Sequence, residues 1–193
     1  LLGATVDAIA LRLTGARVYV DGIADLDVSG ALAVARVTPA GVGATTRYTA
    51  LKMGEVSVKV RVQPADSFGL TGTLEIRVLD LNSAVTGFAR LDWNRAFDFN
   101  ADGTRDLLNP GADLPTPAAL PIDLSSSLQL RVVGTVNGNS TVTYGATSVA
   151  NVLLTTGPVA IAGTAEFALT RQTADVDTDG NGSADLLGAT VDA

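Results

Sequence analysis

The chain has 193 residues, of which 47% are hydrophobic and 17% are charged, and its formal net charge is −7 at pH 7. This hydrophobic content excludes a disordered chain, and the negative charge argues against nucleic acid as a partner, because nucleic-acid binding needs a basic surface. His and Cys are absent, which excludes His-based catalysis, disulfide bonds and the usual zinc sites.

Apolar and polar residues alternate along most of the chain. The alternation covers residues 9–13, is clearest over residues 56–62, and returns in residues 128–132 and 165–169. A period of two residues is typical of a strand with one buried and one solvated face. Short Gly-, Pro- and Asn-rich turns between these stretches favour antiparallel neighbours. We therefore predict an all-β chain, built of antiparallel β-sandwich or meander modules in a tandem, extended array.

Two local features interrupt this pattern. The alternation changes parity between Val78 and Leu79, which predicts a β-bulge. Residues 109–121 hold four of the seven prolines, and proline cannot donate a hydrogen bond to a strand ladder. We therefore predict a first β-module over residues 1–109, a Pro-rich linker over 110–121 and a second β-module over 122–193. We expect no transmembrane segment, because no apolar run approaches the ~18 residues that a membrane-spanning helix needs.

One motif occurs twice, in residues 98–108 (DFNADGTRDLL) and 177–187 (DTDGNGSADLL). We call residues 98–106 loop 1 and residues 177–185 loop 2. Oxygen-bearing side chains occupy positions 1, 3, 5 and 9 of each loop, and Gly occupies position 6. Such spacing lets a tight turn direct several oxygen ligands onto one hard cation, so we predict one Ca²⁺ in each loop. The predicted ligands are Asp98, Asn100, Asp102, Thr104 and Asp106 in loop 1, and Asp177, Asp179, Asn181, Ser183 and Asp185 in loop 2.

The spacing differs from that of an EF-hand, which has a bidentate Glu at position 12. Here that position holds Asn109 and Gly188. A carboxylate does recur at position 16, in Asp113 and Asp192, and these two residues are weaker candidates for a distal ligand. The structural alternative is that each loop is only a polar turn.

The two loops resemble the calcium loops of FG-GAP repeats, dockerins and thrombospondin type 3 repeats, which share a D-x-[DN]-x-[DN]-G-x-x-D core. The similarity to FG-GAP loops is greatest, because Asp-Leu-Leu follows in both. The resemblance implies calcium binding and is confined to the loops. The 79 residues from Asp98 to Asp177 do not fit the closer, even spacing of propeller blades. Similar loops occur in giant bacterial surface proteins made of long tandem repeats.

A second repetition joins the two ends of the sequence. Residues 1–8, LLGATVDA, recur letter for letter as residues 186–193. Eight consecutive identities are not expected by chance, so they indicate a tandem array with a period of 185 residues. We therefore expect neighbouring copies of the same repeat as partners, and no signal peptide at a residue 1 that lies inside a repeat.

Together these features predict a calcium-stabilised structural repeat of a long secreted or cell-surface protein that forms a fibre, stalk or layer. One alternative is a calcium-dependent adhesin or carbohydrate-binding module, with surface glycans or other surface proteins as partners and Trp93 as an aromatic near a loop. Another is a surface-layer or sheath subunit with exposed apolar strand edges. We expect no enzymatic activity, because the one suggestive pair, Ser57 and Lys59, is better interpreted as the exposed face of a strand.

Overall fold

The computed structural model describes residues 3–20, 24–61 and 72–193. These residues form ten β-strands, one 3-10 helix at Pro110–Asp113 and no α-helix, so the all-β prediction is confirmed. The strands are β1 (Thr5–Val20), β2 (Ala24–Thr38), β3 (Tyr48–Arg61), β4 (Thr73–Ala84), β5 (Leu128–Asn137), β6 (Ser140–Tyr144), β7 (Thr147–Thr156), β8 (Val159–Ala162), β9 (Thr164–Val176) and β10 (Leu186–Asp192).

Two parts of the sequence analysis lie outside the described residues. They are Leu1 and Leu2 of the first LLGATVDA segment and the end of the alternating stretch at Val62. The side chains of Ser57 and Lys59 are likewise outside the described part of the structure. None of the described residues forms a helix that is long and apolar enough to cross a membrane.

Seven strands form one sheet in the order β1-β2-β3-β4-β5-β9-β10, and every neighbouring pair is antiparallel. The antiparallel prediction is therefore confirmed. Strands β1 to β5 follow one another in chain order, as short connections favour. Strands β6, β7 and β8 form a separate three-stranded sheet between β5 and β9 in the chain. The pairing of β4 with β5 shifts register between Ile76 and Val78, close to the bulge that the change of parity indicates.

The Pro-rich segment packs into the molecule instead of spacing two sheets apart. Strand β4 pairs with β5 across it, with Leu81 opposite Leu130, so the predicted modules 1–109 and 122–193 contribute to the same sheet. Leu120 is 1% exposed, and Gly111 is buried where a Cβ atom would lie 2.2 Å from the Ala118 carbonyl oxygen. Apolar residues lie between the prolines, and their burial stabilises this packing.

Small side chains on β2 and β3 leave room for this covering segment. Alanines 31, 33, 35 and 50 are each at most 5% exposed, and they lie in one cluster with Trp93 and Phe97. Alternate residues of the same strands contribute to a second cluster that contains Leu32 and Met53. Since successive side chains of a strand point to opposite faces, the sheet is apolar on both faces.

Buried polar groups fix the residues on either side of loop 1 and of the Pro-rich segment to β4. The Trp93 Nε1 donates a hydrogen bond of 3.0 Å to the Asn82 side-chain oxygen, and both side chains are fully buried. The Asn82 amide donates in turn to the carbonyl oxygens of Leu91 and Ser125, at 2.9 and 2.8 Å. The buried side-chain polar groups of Asn82 and Trp93 are thus paired, as a stable interior requires.

Candidate metal-binding loops

Loop 1 lies in the long connection between β4 and β5 and is closed at its base by a β-bridge. The Asp106 amide donates a hydrogen bond of 3.0 Å to the Phe97 carbonyl oxygen. The Phe97 ring is 7% exposed, stacks on Phe99 with ring centres 5.1 Å apart and contacts Trp93 at 5.8 Å. The base of loop 1 is therefore attached to the hydrophobic core.

Loop 2 connects β9 to β10 at the edge of the sheet. Its base has the same closing hydrogen bond, from the Asp185 amide to the Val176 carbonyl oxygen at 2.9 Å. All nine residues of loop 2 are exposed. The two loops, 79 residues apart, are thus closed by the same backbone hydrogen bond. Loop 1 is attached to the hydrophobic core, whereas loop 2 lies at the edge of the sheet.

The carboxylate at position 1 forms the same contact in both loops. The Gly103 amide donates to the Asp98 carboxylate at 3.0 Å, and the Gly182 amide donates to the Asp177 carboxylate at 2.7 Å. The pKa of Asp177 is lowered, mainly because the Gly182 amide stabilises the charged form. The carboxylate at position 1 therefore fixes the backbone at position 6 in both loops.

The carboxylate at position 9 accepts a hydrogen bond from the amide at position 2. The distances are 2.6 Å from Phe99 to Asp106 and 2.8 Å from Thr178 to Asp185. The Thr178 hydroxyl adds a second bond of 2.6 Å, and this hydroxyl is the main cause of the lowered pKa of Asp185. Thr178 was absent from the predicted set, because position 2 carries no ligand in the motif and loop 1 has Phe there.

Positions 3 and 5 exchange their residue types between the loops while keeping one contact. The Asn100 amide donates to the Asp102 carboxylate at 3.0 Å in loop 1, and the Asn181 amide donates to the Asp179 carboxylate at 2.9 Å in loop 2. Each pair therefore combines one carboxylate with one amide.

The amide at position 7 donates to the side chain at position 5 in both loops. Its acceptor is Asp102 for Thr104, at 2.7 Å, and Asn181 for Ser183, at 2.8 Å. Hydrogen bonding from Thr104 lowers the pKa of Asp102. The residue at position 7, whose carbonyl is a predicted ligand, is therefore held by the same hydrogen bond in both loops.

The turn requires left-handed backbone at two positions. At position 6 the φ angles are +84° for Gly103 and +88° for Gly182. At position 4 they are +59° for Ala101 and +76° for Gly180. Glycine adopts this conformation without strain, so the backbone at position 4 is less strained in loop 2 than in loop 1.

The loops differ in how close their carboxylates come to one another. Carboxylate oxygens of Asp177, Asp179 and Asp185 all lie within 4.8 Å of one another, a separation that one cation could bridge. Within the described residues, the three carboxylates of loop 1 do not converge in this way. No Lys or Arg forms an ion pair with either loop in the described part of the chain.

The two distal candidates lie in different surroundings. Asp113 is exposed at the end of the 3-10 helix. Asp192 forms a two-point ion pair with Arg171, with distances of 2.6 Å to Nε and 2.9 Å to Nη2. The hydrogen bond from Arg171 lowers the pKa of Asp192. The partner of Asp192 in this chain is therefore an arginine on β9.

Trp93 does not offer the exposed aromatic surface that the adhesin alternative needs, because its side chain is completely buried. The aromatic side chain exposed in loop 1 is Phe99, at 56%.

Comparisons of this chain with protein-family models, with curated proteins and with solved structures found no match.

Proposed function

We propose that this chain is a calcium-stabilised structural repeat of a long secreted or cell-surface protein that forms a fibre, stalk or layer. The observation that carries the proposal is the approach of three loop 2 carboxylates to within 4.8 Å without a neighbouring basic side chain in the described residues. Like charges at this separation repel one another, and a bound cation removes that repulsion.

The donor chemistry of loop 2 fits a hard cation. Asp177, Asp179 and Asp185 supply carboxylate oxygens, and Asn181 and Ser183 add an amide oxygen and a backbone carbonyl. Ca²⁺ takes 6–8 oxygen ligands at ~2.3–2.6 Å, whereas Mg²⁺ keeps several waters and uses few carboxylates. An all-oxygen set with three carboxylates therefore favours calcium.

Calcium would add stability where the chain lacks other support, since loop 2 is exposed along its whole length. At ~2 mM calcium and a dissociation constant of ~10⁻⁴ M, one site contributes about 1.8 kcal/mol. That is a useful fraction of the ~5–15 kcal/mol of a typical domain. Extracellular calcium concentrations suit a weak site of this kind, which is why we propose a secreted or cell-surface location.

The test is calorimetric titration of calcium, together with thermal unfolding in calcium and in chelator. We expect calcium to raise the unfolding temperature and magnesium to have a smaller effect. Replacing Asp177→Asn and Asp185→Asn together should abolish binding at loop 2. The matched control is Asp27→Asn, which removes an exposed carboxylate of β2 and should leave the calcium response unchanged. The absence of heat and of any thermal shift up to ~5 mM calcium would reject the proposal.

The exposed edges of the seven-stranded sheet favour a second candidate, a surface-layer or sheath subunit that assembles laterally. Ile9 and Leu11 on β1 are 53% and 39% exposed, and Leu186 and Leu187 on β10 are 52% and 79% exposed. Apolar residues on unpaired edge strands promote pairing with another chain. Association that grows with concentration and persists in chelator would favour this candidate.

A further inference from the structure

We propose that consecutive copies of this repeat share one continuous β-sheet, in which the strand LLGATVDA pairs with β9 of one copy on one edge and with β2 of the next copy on its other edge. The inference rests on the tandem array in the proposed function and does not depend on calcium.

The first observation is that the two outer strands of the sheet contain the same part of the repeated segment, Thr-Val-Asp. Residues 5–7 lie in β1 and pair with β2, where Val6 is opposite Val37. The equivalent residues 190–192 lie in β10 and pair with β9, where Val191 is opposite Gln172. Because all six pairings between β1 and β10 are antiparallel, these two strands run in the same direction.

The two segments also have the same backbone conformation and the same pattern of exposure. Gly3 and Gly188 are equivalent, and their φ angles are +70° and +62°. Val6 and Val191 are half-buried, whereas the aspartate that follows each of them is exposed. The segment therefore folds alike beside two different partner strands.

The edge that β10 uses follows from its last hydrogen bonds. The Ala193 amide donates to Thr170 at 2.9 Å, and the Thr170 amide donates to Ala193 at 2.8 Å. Backbone groups of successive residues in a strand point to opposite edges. The backbone N–H and C=O groups of Val191 and Ala193 therefore point to β9. Those of Thr190 and Asp192 point to the free edge of β10.

The edge that β1 uses is the opposite one. The Val37 carbonyl oxygen accepts a hydrogen bond of 2.9 Å from the amide of Arg47, the residue just before β3, so the backbone groups of Val37 point to β3. The neighbouring Arg36 consequently faces β1, where its partner is Asp7. Thr5 and Asp7 thus bond to β2, and they are the equivalents of the two residues that face the free edge of β10. The repeated segment therefore forms hydrogen bonds through one edge in β1 and through the opposite edge in β10.

The sequence that follows LLGATVDA suits the extended pairing. Asp192 lies opposite Arg171 and Ala193 opposite Thr170, so the next residues would continue along β9. In that register, Ile9 of the next copy lies opposite Leu169, and Leu11 lies opposite Phe167. Leu169 and Phe167 pack against the same hydrophobic cluster as Leu13, which shares the parity of Ile9 and Leu11.

The junction would cover apolar surface and match charges. Ile9 and Leu11, which are 53% and 39% exposed, would become cross-strand neighbours of two half-buried apolar side chains. The following residue, Arg12, would lie opposite Glu166, and both are exposed in the single chain. Apolar and opposite-charge pairs across strands each stabilise a sheet. Three cross-strand pairs are therefore compatible in one register.

The shared sheet would then have six strands from each repeat, since β10 of one copy is β1 of the next. With neighbouring strands ~4.8 Å apart, each repeat advances the sheet by about 29 Å. Pairing along the whole array leaves unpaired edges only at its two ends.

The test uses a two-copy chain, residues 1–185 followed by residues 1–193, with two substitutions. Ile9→Cys in the second copy and Leu169→Cys in the first place two thiols on a predicted non-hydrogen-bonded pair, with a separation that a disulfide can span. The chain has no other Cys. The matched control replaces Ala10→Cys in the second copy instead of Ile9, because its side chain lies on the opposite face.

We expect oxidation at low protein concentration to form the intrachain crosslink at least ~10-fold faster in the Ile9 pair than in the Ala10 pair. The same ratio is expected in chelator, so a failed calcium titration would leave this inference standing. Equal rates in two folded variants would overturn the shared sheet without affecting the calcium proposal. If either Cys variant fails to fold, small-angle scattering of the unsubstituted two-copy chain replaces the rates. An increment of about 29 Å for the second copy supports the inference, and a longer, flexible increment overturns it.

Discussion

Loop 1 and loop 2 share one motif and one set of backbone hydrogen bonds, but the rest of the molecule supports them differently. Phe97 anchors loop 1 in the core beside Trp93. Loop 2 is exposed along its length, yet it is the loop whose three carboxylates converge. The motif therefore determines the turn, whereas the packing that supports the turn differs between the two loops. Loop 2 has less packing and more charge repulsion, so we expect it to depend more on calcium.

The largest effect is expected when the packing that supports loop 1 alone is removed. Phe97→Ala removes a buried ring and should lower the free energy of unfolding by ~3–5 kcal/mol. Amide hydrogen exchange should become faster in loop 1 and stay unchanged in loop 2. The control is Phe99→Ala, which removes a ring that is 56% exposed and should cost much less. Equal acceleration in both loops would show that their supports are not separate.

An exchange of residue types at position 4 gives the next largest effect. Ala101→Gly should stabilise loop 1, and Gly180→Ala should destabilise loop 2, each by about 1 kcal/mol, because alanine is strained in the left-handed conformation. Urea unfolding of the two variants measures both changes. Changes of the same sign would contradict the shared turn geometry.

The all-β class and the turn of each loop could be predicted from the sequence, because both depend on local patterns. A period of two predicted the strands, and the change of parity at Val78 and Leu79 predicted an irregularity near the observed register shift between Ile76 and Val78. The role of residues 110–121 could not be read in the same way. Their burial depends on β4 pairing with β5, a contact between segments distant in sequence, and local pattern carries no information about such a pairing.

The candidate site shows the same division. The spacing of the motif brought the loop residues together, whereas the ion pair of Asp192 with Arg171 depends on the register of β10 against β9. Such a register is set by tertiary contacts. The calcium ligands and the division into two modules stay predictions.

The smallest effect is expected from replacing the two distal aspartates, Asp113 and Asp192. Because Arg171 lowers the pKa of Asp192 in the folded chain, this pair stabilises the protein above the ordinary carboxyl pKa of 3.8, and the stabilisation is lost as the pH falls through the lowered value. Asp192→Asn should therefore reduce stability near neutral pH and match the parent in strong acid. Asp113→Asn is the control, and unfolding should show little change for it at either pH. A difference that persists in strong acid would show that the Asp192 effect is not electrostatic.

The most direct test of the central claim is a high-resolution crystal structure in millimolar calcium, with the ion identified by anomalous scattering. We expect an ion in loop 2, held by Asp177, Asp179 and Asp185 at ~2.3–2.6 Å, and a second ion in loop 1. Two ordered loops without anomalous density, with the Asn181 amide still bonded to Asp179, would contradict it.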